Sequence, residues 1–420
     1  MKVLWITNIL FPEAEGLLTN QACRESGGGG GWMLGAANAL SSSSDIELSV
    51  ATVSPLVSDL AVLHGQKTTY YVIPFGKGNL LYNKDYEHYW KRVKNLACPD
   101  VVHIHGTEYS HGLAYVKSCG SDKVVVSIQG MKSDYYYYYC AGISHCTFLR
   151  HLTLRDFIKG TPVADQRRFR RDGMLEIKQI GLVKHVIGRT TWDKDHCRAI
   201  NPEIKYHFCN ETLRSEFYTG AKWNYDSCKK HSIFLSQVYY PLKGFHKLLE
   251  AMPLVLRWYP DATVRTTGDN MFSYKGLSRI IHRTSYFSYL ESLIKKYSLT
   301  DKIVFCGRKN AEGMVQEYLN ANVFVCPSSI ENSPNSLGEA QILGTPCVAS
   351  YVGGVPDMMK GDEAHLYRFD DVQMLAARIV DVFDSGAEQT DMRETALQRH
   401  NPEVNARRLI EIYNEIAVCG

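Results

Sequence analysis

Two carboxylates, Glu331 and Glu339, stand eight positions apart at a junction where the sequence predicts a strand, a loop and a helix. The β-branched and aromatic run 322–326 predicts the strand, and residues 337–343 predict the helix. The start of a helix presents unpaired backbone N–H groups and the positive end of its dipole, which together favour a phosphate. A nucleotide diphosphate with a sugar at each end needs such amides, and a carboxylate for the hydroxyls on either side.

A structural interpretation fits the same residues. Ser336, three positions before Glu339, begins a capping-box pattern in which Glu339 would accept from the N-cap amide. Glu331 would then be an ordinary loop carboxylate in water. On spacing alone the two interpretations are evenly balanced, so the other motifs of the chain have to decide.

Two basic residues are predicted at the carboxyl ends of other strands. Lys243 lies between the strand 232–236 and an amphipathic helix, where an ammonium could neutralise a departing diphosphate. A solvated surface lysine is the alternative. Arg308 follows the strand 303–305 and could contact a base or phosphate, or pair with a surface carboxylate.

Short apolar runs alternate with longer helical patterns along the whole chain, which predicts parallel α/β sheets. The predicted strands are 2–7, 46–53, 68–73, 101–105, 124–128, 185–188, 205–208, 232–236, 263–266, 303–305, 322–326 and 347–350. The polar, aperiodic segment 218–230 separates two similar halves. We therefore expect an α/β fold with two Rossmann-like domains facing each other across a cleft.

The predicted domains are an N-terminal domain for the acceptor, residues 1–218, and a C-terminal domain for the donor, residues 219–395. The last segment, 396–420, carries a helical apolar pattern over 403–417. We expect this helix to cross back and pack on the first domain.

A glycine run at 27–31 precedes the helix predicted to begin near Trp32. It follows the first strand, where a doubly wound domain binds ligands. The run is only loosely a dinucleotide fingerprint, and no clear acidic residue ends the second strand to hold a ribose. A loop that lets a sugar or phosphate approach the backbone is favoured over a nicotinamide site, with simple flexibility as the other alternative.

Composition bounds the class of protein. The chain has 420 residues, 45% hydrophobic and 22% charged, and a formal net charge of +3 that gives no reason to expect a nucleic-acid partner. Its 12 cysteines contain no C-x-x-C pair, which favours a reduced protein in the cytoplasm. Cys140, His145 and Cys146 lie close together, but no second cluster completes a zinc site.

The N-terminal run 1–7 predicts a strand, because it is too short for a signal peptide and no small-residue cleavage site follows it. No apolar stretch approaches the roughly 20 residues that span a bilayer. A basic segment, Arg150–Arg171, is interleaved with apolar residues such as Phe157 and Ile158. It predicts peripheral contact with an anionic membrane, against the alternatives of a solvated helix face or a site for an anionic acceptor.

Several motifs together resemble the retaining glycosyltransferases of family 4, which have the GT-B architecture of two Rossmann-like domains. The resemblance covers nearly the whole chain, and the motif around Glu331 and Glu339 is the most specific part. The motifs are Lys243-Gly244, Glu331 to Glu339, Gly344–Ser350 and Gly353–Asp357, with Pro99–Gly106 and His185–Thr190 in the first half.

The resemblance implies roles on the donor side. Glu331 would bind the donor sugar, Glu339 the ribose hydroxyls and Lys243 the diphosphate, with Glu331 and Lys243 as the catalytic residues. Three residues would supply amides to the phosphates: Asn335, Ser336 and Leu337.

On the opposite domain, the resemblance implies residues that approach the acceptor and the donor phosphate. They are Gly29, Gly30, Gly31, Trp32, His105, Gln129 and Arg189. The chain departs from the family pattern twice, because Gln237 stands where an arginine usually assists the lysine and Gln129 stands where many members have a histidine. Charge stabilisation would then depend on Lys243, on helix dipoles, and on Arg189 or Arg308.

The implied function is transfer of a sugar from a nucleotide-sugar donor, UDP by preference, to a glycan or lipid-linked acceptor in cell-surface polysaccharide or lipopolysaccharide synthesis. No metal or cofactor is implied, since the nucleotide-sugar is a substrate. Two alternatives stay open at this point: a nucleotide-sugar epimerase of the same architecture, and a non-catalytic nucleotide-sugar-binding protein.

Overall fold

The structure is a computed structural model that describes residues 1–20, 31–41, 45–75, 84–388 and 392–418. Its strands are β1 (Lys2–Ile6), β2 (Glu47–Ser54), β3 (Ala61–His64), β4 (Thr69–Pro74), β5 (Val101–His105), β6 (Val124–Ser127), β7 (His185–Gly188), β8 (Lys205–Phe208), β9 (Ser232–Leu235), β10 (Thr263–Thr266), β11 (Ile303–Phe305), β12 (Val323–Cys326), β13 (Cys347–Ser350) and β14 (Leu366–Tyr367).

Helices connect most of these strands, as parallel pairing requires. They are α1 (Pro12–Thr19), α2 (Gly31–Ser41), α3 (Glu87–Ala97), α4 (Ser110–Cys119), α5 (Lys132–Tyr138), α6 (His145–Arg150), α7 (Leu154–Lys159), α8 (Pro162–Leu182), α9 (Thr191–Ile200), α10 (Phe245–Trp258), α11 (Gly276–His282), α12 (Ser285–Lys296), α13 (Ala311–Asn320), α14 (Asn335–Leu343), α15 (Val355–Met358), α16 (Val372–Ser385), α17 (Arg393–Arg399) and α18 (Pro402–Val418).

Every predicted strand is present, and two strands were not predicted. β3 is an edge strand that pairs antiparallel with β4, and only alternate residues of it are partly covered. β14 has two residues, too few for a periodic pattern. Both strands end a sheet, where local sequence carries the weakest signal.

The first compact unit contains Met1–Ser133, Arg170–Arg214 and His400–Gly420. Its sheet has the order β3-β4-β2-β1-β5-β6-β7-β8, with parallel pairing except at β3. Successive side chains of β1 point to opposite faces, so Leu4 and Ile6 pack with α3 and α4 while Val3 and Trp5 pack with α2 and α18. Both faces of the sheet are therefore buried, as parallel sheets require.

The second unit contains Asp134–Phe169 and Ser215–Arg399. Its parallel sheet has the order β11-β10-β9-β12-β13-β14. Ile233 and Val323 belong to a core built with α10, α12 and α16. On the other face, the Phe234 and Phe324 rings lie 5.0 and 5.3 Å from that of Tyr318 in α13.

The division of the chain differs from the predicted one in the segment Asp134–Phe169, which was expected in the first domain and belongs to the second unit. Phe148 of this segment joins the core formed with α10 and α12. His246 Nε2 donates to the Ala141 carbonyl at 2.9 Å. These contacts join residues about a hundred positions apart, so no local pattern could reveal them.

The predicted junction at 218–230 corresponds to a division at Arg214 and Ser215, and α18 belongs to the first unit. The basic segment Arg150–Arg171 is also divided, since Arg170 and Arg171 lie in the first unit. No described helix is long and apolar enough to cross a membrane.

Candidate functional site

Lys243 and Glu331, predicted from separate motifs, form an ion pair in the second unit. Lys243 Nζ donates to Glu331 Oε1 at 2.5 Å, and Ser328 Oγ donates to the same oxygen at 2.7 Å. Glu331 is buried and the Lys243 side chain is 20% exposed. Burial is the largest single influence and acts to lower the pKa of the Lys243 ammonium, but the charge and hydrogen bond of Glu331, together with Tyr240 and Cys326, raise the pKa overall. Lys243 therefore stays charged.

Three loops at the carboxyl ends of β9, β12 and β13 hold this pair. The Ser329 amide donates to the Leu242 carbonyl at 2.8 Å, which joins the loop after β12 to the turn that carries Lys243. Gly244 ends that turn with φ +70°, and a Cβ there would lie 1.6 Å from the Pro327 carbonyl oxygen. Only glycine permits this approach.

The loop after β13 fixes the backbone of Glu331. Gly354 N donates to the Glu331 carbonyl at 3.0 Å, and a Cβ on Gly353 would lie 1.9 Å from that carbonyl oxygen. Ser350 Oγ donates to the Ser328 carbonyl at 2.5 Å. Because β9, β12 and β13 are neighbours, their loops meet at one edge of the sheet.

Helix α14 begins beside this pair, two residues earlier than predicted. Its N-cap is Pro334, which places Ser336 inside the first turn and Glu339 in the second, so the capping-box interpretation is wrong. The amides of Asn335 and Ser336 open the helix, and no described residue accepts a hydrogen bond from them. The Leu337 amide differs, since it donates to the Pro334 carbonyl at 3.0 Å.

Glu339 is buried on the inner side of α14. The Tyr318 hydroxyl donates to Glu339 Oε2 at 3.4 Å. A buried carboxylate with a hydroxyl partner suits recognition of further hydroxyl groups, because an ionised carboxylate accepts several hydrogen bonds.

Arg308 and Gln237 do not contact the Lys243–Glu331 pair. The Arg308 side chain is 83% exposed and pairs with Asp269 at 2.6 Å, which is the surface-carboxylate alternative of the sequence. Gln237 is exposed, and its Oε1 accepts from the Tyr240 hydroxyl at 3.3 Å.

A pocket in the first unit brings together Trp32, His105 and Arg189. The pocket has an empty volume of about 580 Å³, which includes its open mouth. The His105 ring centroid lies 4.3 Å from that of Trp5 and 6.1 Å from that of Trp32. Neither His105 nitrogen has a hydrogen-bond partner among the described residues, although the residue is buried.

Burial lowers the pKa of His105 to about 3, so its ring is neutral and offers one donor and one acceptor. His103, whose ring lies 3.9 Å from that of His105, also has a lowered pKa because it is buried. A neutral polar ring between two indoles suits an uncharged ligand with hydroxyl groups and apolar faces.

Arg189 and Gln129 are joined through Glu211, which no sequence motif predicted. Arg189 Nη1 pairs with Glu211 Oε2, and Gln129 Nε2 donates to Glu211 Oε1 at 2.7 Å. Arg189 Nη2 also donates to the Ile128 carbonyl at 2.9 Å. Arg189 is thus a buried guanidinium that pairs with a carboxylate and holds the loop after β6.

A second carboxylate that no sequence motif predicted is Glu108, which follows β5 by three residues. Burial raises its pKa to about 7, and the nearby Glu176 adds to that effect. Lys132 Nζ donates to the Glu108 carbonyl at 2.6 Å. In the sequence, the only sign that Glu108 could be a functional residue was its position after a central strand, close to Gly106.

Of the remaining predicted residues, Gly31 begins α2 and Gly29 and Gly30 lie outside the described residues. Within the part of the chain that the structure describes, no group of three or more His, Cys, Asp or Glu side chains is placed to hold a metal ion.

Comparison with known proteins finds a family match within the second half of the chain. Residues 222–399 match the family model "Glycosyl transferases group 1", so the chain contains a glycosyltransferase group 1 domain. The D-inositol 3-phosphate glycosyltransferase of Corynebacterium urealyticum is 29% identical over 179 residues, 42% of this chain and 41% of that protein. A putative colanic acid biosynthesis glycosyltransferase of Salmonella typhimurium is 30% identical over 141 residues, 30% and 34% of the two proteins. The chain therefore matches less than half the length of these relatives.

Among solved structures, sucrose-phosphate synthase from Thermosynechococcus elongatus matches with a TM-score of 0.70 and 18% identity, over 100% of this chain and 99% of that one. At this identity the match shows the fold alone. The fold is GT-B, with two Rossmann-like domains, as predicted.

Proposed function

We propose that the chain is a retaining, metal-independent glycosyltransferase of family 4 that uses a nucleotide-sugar donor. The observation that carries this proposal is the Lys243–Glu331 pair, held where three neighbouring strands end and α14 begins. The group 1 domain over 222–399 supports it. The favoured donor is a UDP-sugar, and the acceptor is a glycan or lipid-linked glycan of a cell-surface polysaccharide or lipopolysaccharide.

The positively charged and amide groups of the proposed donor site bind phosphate, and its two carboxylates bind hydroxyl groups. Lys243 binds the diphosphate as a compact cation, and the opening amides of α14 bind phosphate oxygens along the helix dipole. Glu331 accepts from hydroxyls of the transferred sugar, and Glu339 from those of the ribose. Negative charge that develops on the leaving diphosphate is stabilised by groups already in place.

The reaction breaks the bond between the anomeric carbon and the phosphate oxygen, and forms the bond from that carbon to an acceptor oxygen. In front-face attack, the leaving phosphate takes the proton of the acceptor hydroxyl, so no protein base is required and configuration is retained. Isolation of a covalent sugar adduct on Glu331 would contradict this mechanism.

The pocket around His105 is proposed for part of the acceptor. Its indole walls suit the apolar face of a sugar ring or an alkyl group, and the neutral imidazole can both donate to and accept from a hydroxyl. Work at the cytoplasmic face of a membrane fits a lipid-linked acceptor, and contact through the basic segment Arg150–Arg171 stays a prediction.

Substitution of either member of the pair tests the proposal. We expect Lys243→Met to lower the turnover of the preferred donor by about 100-fold or more, because one preorganised charge is lost from the transition state. Glu331→Gln should lower it comparably. Release of nucleotide from UDP-, GDP- and ADP-sugars is measured with and without acceptor, together with the shift in melting temperature that each donor causes.

Lys247→Met is the matched control, since Lys247 pairs with Glu250 at 3.2 Å within α10. It should retain wild-type turnover. Full activity of Lys243→Met would overturn the proposal. Conversion of the donor to an isomeric nucleotide-sugar would indicate an epimerase, and donor binding without any nucleotide release would indicate a binding protein.

A further inference from the structure

Two short helices of the second unit, α7 and α11, lie side by side and expose apolar side chains. Thr153 Oγ1 donates to the Arg283 carbonyl at 2.6 Å, which joins the two segments although they are 130 positions apart. Six of their apolar residues are between 47% and 83% exposed: Leu154, Phe157, Ile158, Leu277, Ile280 and Ile281. We call these six residues the α7–α11 surface.

The body of the second unit holds α7 rigidly. Asp156 is buried and accepts from the Thr153 amide at 2.9 Å in a capping box. The Ser285 amide, at the start of α12, donates to the other Asp156 oxygen at 3.2 Å. The polar side of α7 is therefore fixed to the protein, and Phe157 and Ile158 point away from it. Contiguous exposed apolar groups of this kind mark interaction surfaces.

The surroundings of the α7–α11 surface are basic. Residues 150–159 and 275–284 contain one carboxylate, the buried Asp156. Their basic residues are Arg150, Arg155, Lys159, Lys275, Arg279 and Arg283. Arg279 and Arg283 both pair with Glu291, whereas Lys159 and Lys275 are exposed and form no ion pair with any described carboxylate.

The exposed apolar side chains and the exposed lysines together favour an anionic membrane over a second copy of the chain as the partner of this surface. A second copy of the chain in a two-fold interface would bring the same uncompensated cations together, which is unfavourable. An anionic lipid surface offers negatively charged headgroups to the lysines and an apolar interior to phenylalanine, leucine and isoleucine.

We propose that the α7–α11 surface docks on an anionic membrane. Phe157, Ile158, Ile280 and Ile281 enter the boundary between headgroups and acyl chains, and Lys159 and Lys275 contact anionic headgroups. The docking surface therefore includes α11, which the basic segment Arg150–Arg171 does not. This inference rests on the exposed surface alone and does not depend on the proposed reaction.

Co-sedimentation of the full chain with lipid vesicles tests the proposal. We expect binding to vesicles of equal parts phosphatidylcholine and phosphatidylglycerol, and weaker binding to phosphatidylcholine alone or at high salt. Phe157→Ser/Ile158→Ser and Ile280→Ser/Ile281→Ser should each abolish most of the binding. Lys159→Gln/Lys275→Gln should weaken it about 30-fold, since each cation near an anionic surface contributes about fivefold.

Trp258→Ser on α10 is the matched control, because Trp258 is 74% exposed but lies outside the α7–α11 surface. It should bind like the wild type, and equal melting temperatures establish that all variants fold. Absence of binding to the phosphatidylglycerol vesicles would overturn the proposal, as would binding that the serine variants leave unchanged. A wild-type dimer that the serine variants convert to monomer, without vesicle binding, would assign the surface to self-association instead.

Discussion

Burial decides the charge of the polar residues at the carboxyl ends of the strands in the first unit. His105 has a pKa lowered to about 3 by burial and is neutral near pH 7. Glu108, three positions later, has a pKa raised to about 7 by burial. Residue type alone would assign Glu108 a full negative charge, so the environment changes what this residue can donate or accept.

The raised pKa of Glu108 predicts a specific dependence of stability on pH. The folded chain holds this proton more tightly than the unfolded chain, whose carboxyl titrates near 4.5. Glu108 therefore costs stability progressively as pH rises from about 4.5 to about 7, and the cost is complete above that range. We expect Glu108→Gln to remove this loss, seen as a smaller decrease of the urea midpoint between about pH 5 and about pH 8.

Glu203→Gln is the control, because Glu203 is an exposed acid of the same unit. It should leave the pH dependence of the wild type intact. Identical pH profiles for Glu108→Gln and the wild type would show that the pKa of Glu108 is the same in the folded and the unfolded chain.

At the scale of elements, the proposed donor site depends on loops that follow neighbouring strands. The turn carrying Lys243 can approach the loop after β12 only because Gly244 has no side chain. Tying these loops together costs conformational entropy, which the contacts between them must offset. The position of Lys243 therefore depends on the contact between its own turn and the loop after β12.

Gly244→Ala is predicted to destabilise the protein more than an ordinary substitution in the left-handed region. Gly307 has a similar φ, +74°, but a Cβ there would meet nothing within 4 Å. We expect Gly307→Ala to cost about 1–2 kcal/mol, from backbone conformation alone. Gly244→Ala should cost a further 1–3 kcal/mol or so, because the Pro327 carbonyl must move.

Chemical denaturation of the two variants measures the difference, and the donor-induced thermal shift reports the position of Lys243. Gly244→Ala should lose that shift while Gly307→Ala keeps it. Equal destabilisation by the two substitutions would contradict the role given to the close approach.

At the scale of the whole molecule, each unit is assembled from separate pieces of the chain. The first unit is completed by α18, whose Tyr413 hydroxyl accepts from Trp5 Nε1 at 2.9 Å. Leu409, Ile412 and Ile416 cover the same face of the sheet. The last helix therefore contributes to the core of the first unit.

Ending the chain at Arg399 is predicted to destabilise the first unit selectively. Each buried apolar side chain of α18 contributes about 1.5–3 kcal/mol, and four of them are lost. Hydrogen exchange should show β1 and β5 losing protection while β9 and β12 keep it. A chain ending at Val418 is the control, and equal loss of protection in both units would contradict the assignment of α18.

The sequence by itself determined twelve of the strands and their alternation with helices, the GT-B fold through its family motifs, and the identity of Lys243 and Glu331 as separate candidates. Strand patterns are local, and parallel strands place the residues that follow them at one edge of a sheet. The prediction therefore worked wherever a property depended on a few consecutive residues. The exceptions were the first turn of α14, where Pro334 replaces the expected cap, and the short edge strands β3 and β14.

Only the tertiary structure decided which of these residues meet. Lys243 and Glu331 are 88 positions apart and form one pair, whereas Arg308 pairs with Asp269 on the surface. Glu211, without a motif of its own, joins Arg189 to Gln129. These outcomes depend on burial and on contacts between distant parts of the chain, which set the partner and the charge of a side chain and leave no trace in the residues next to it.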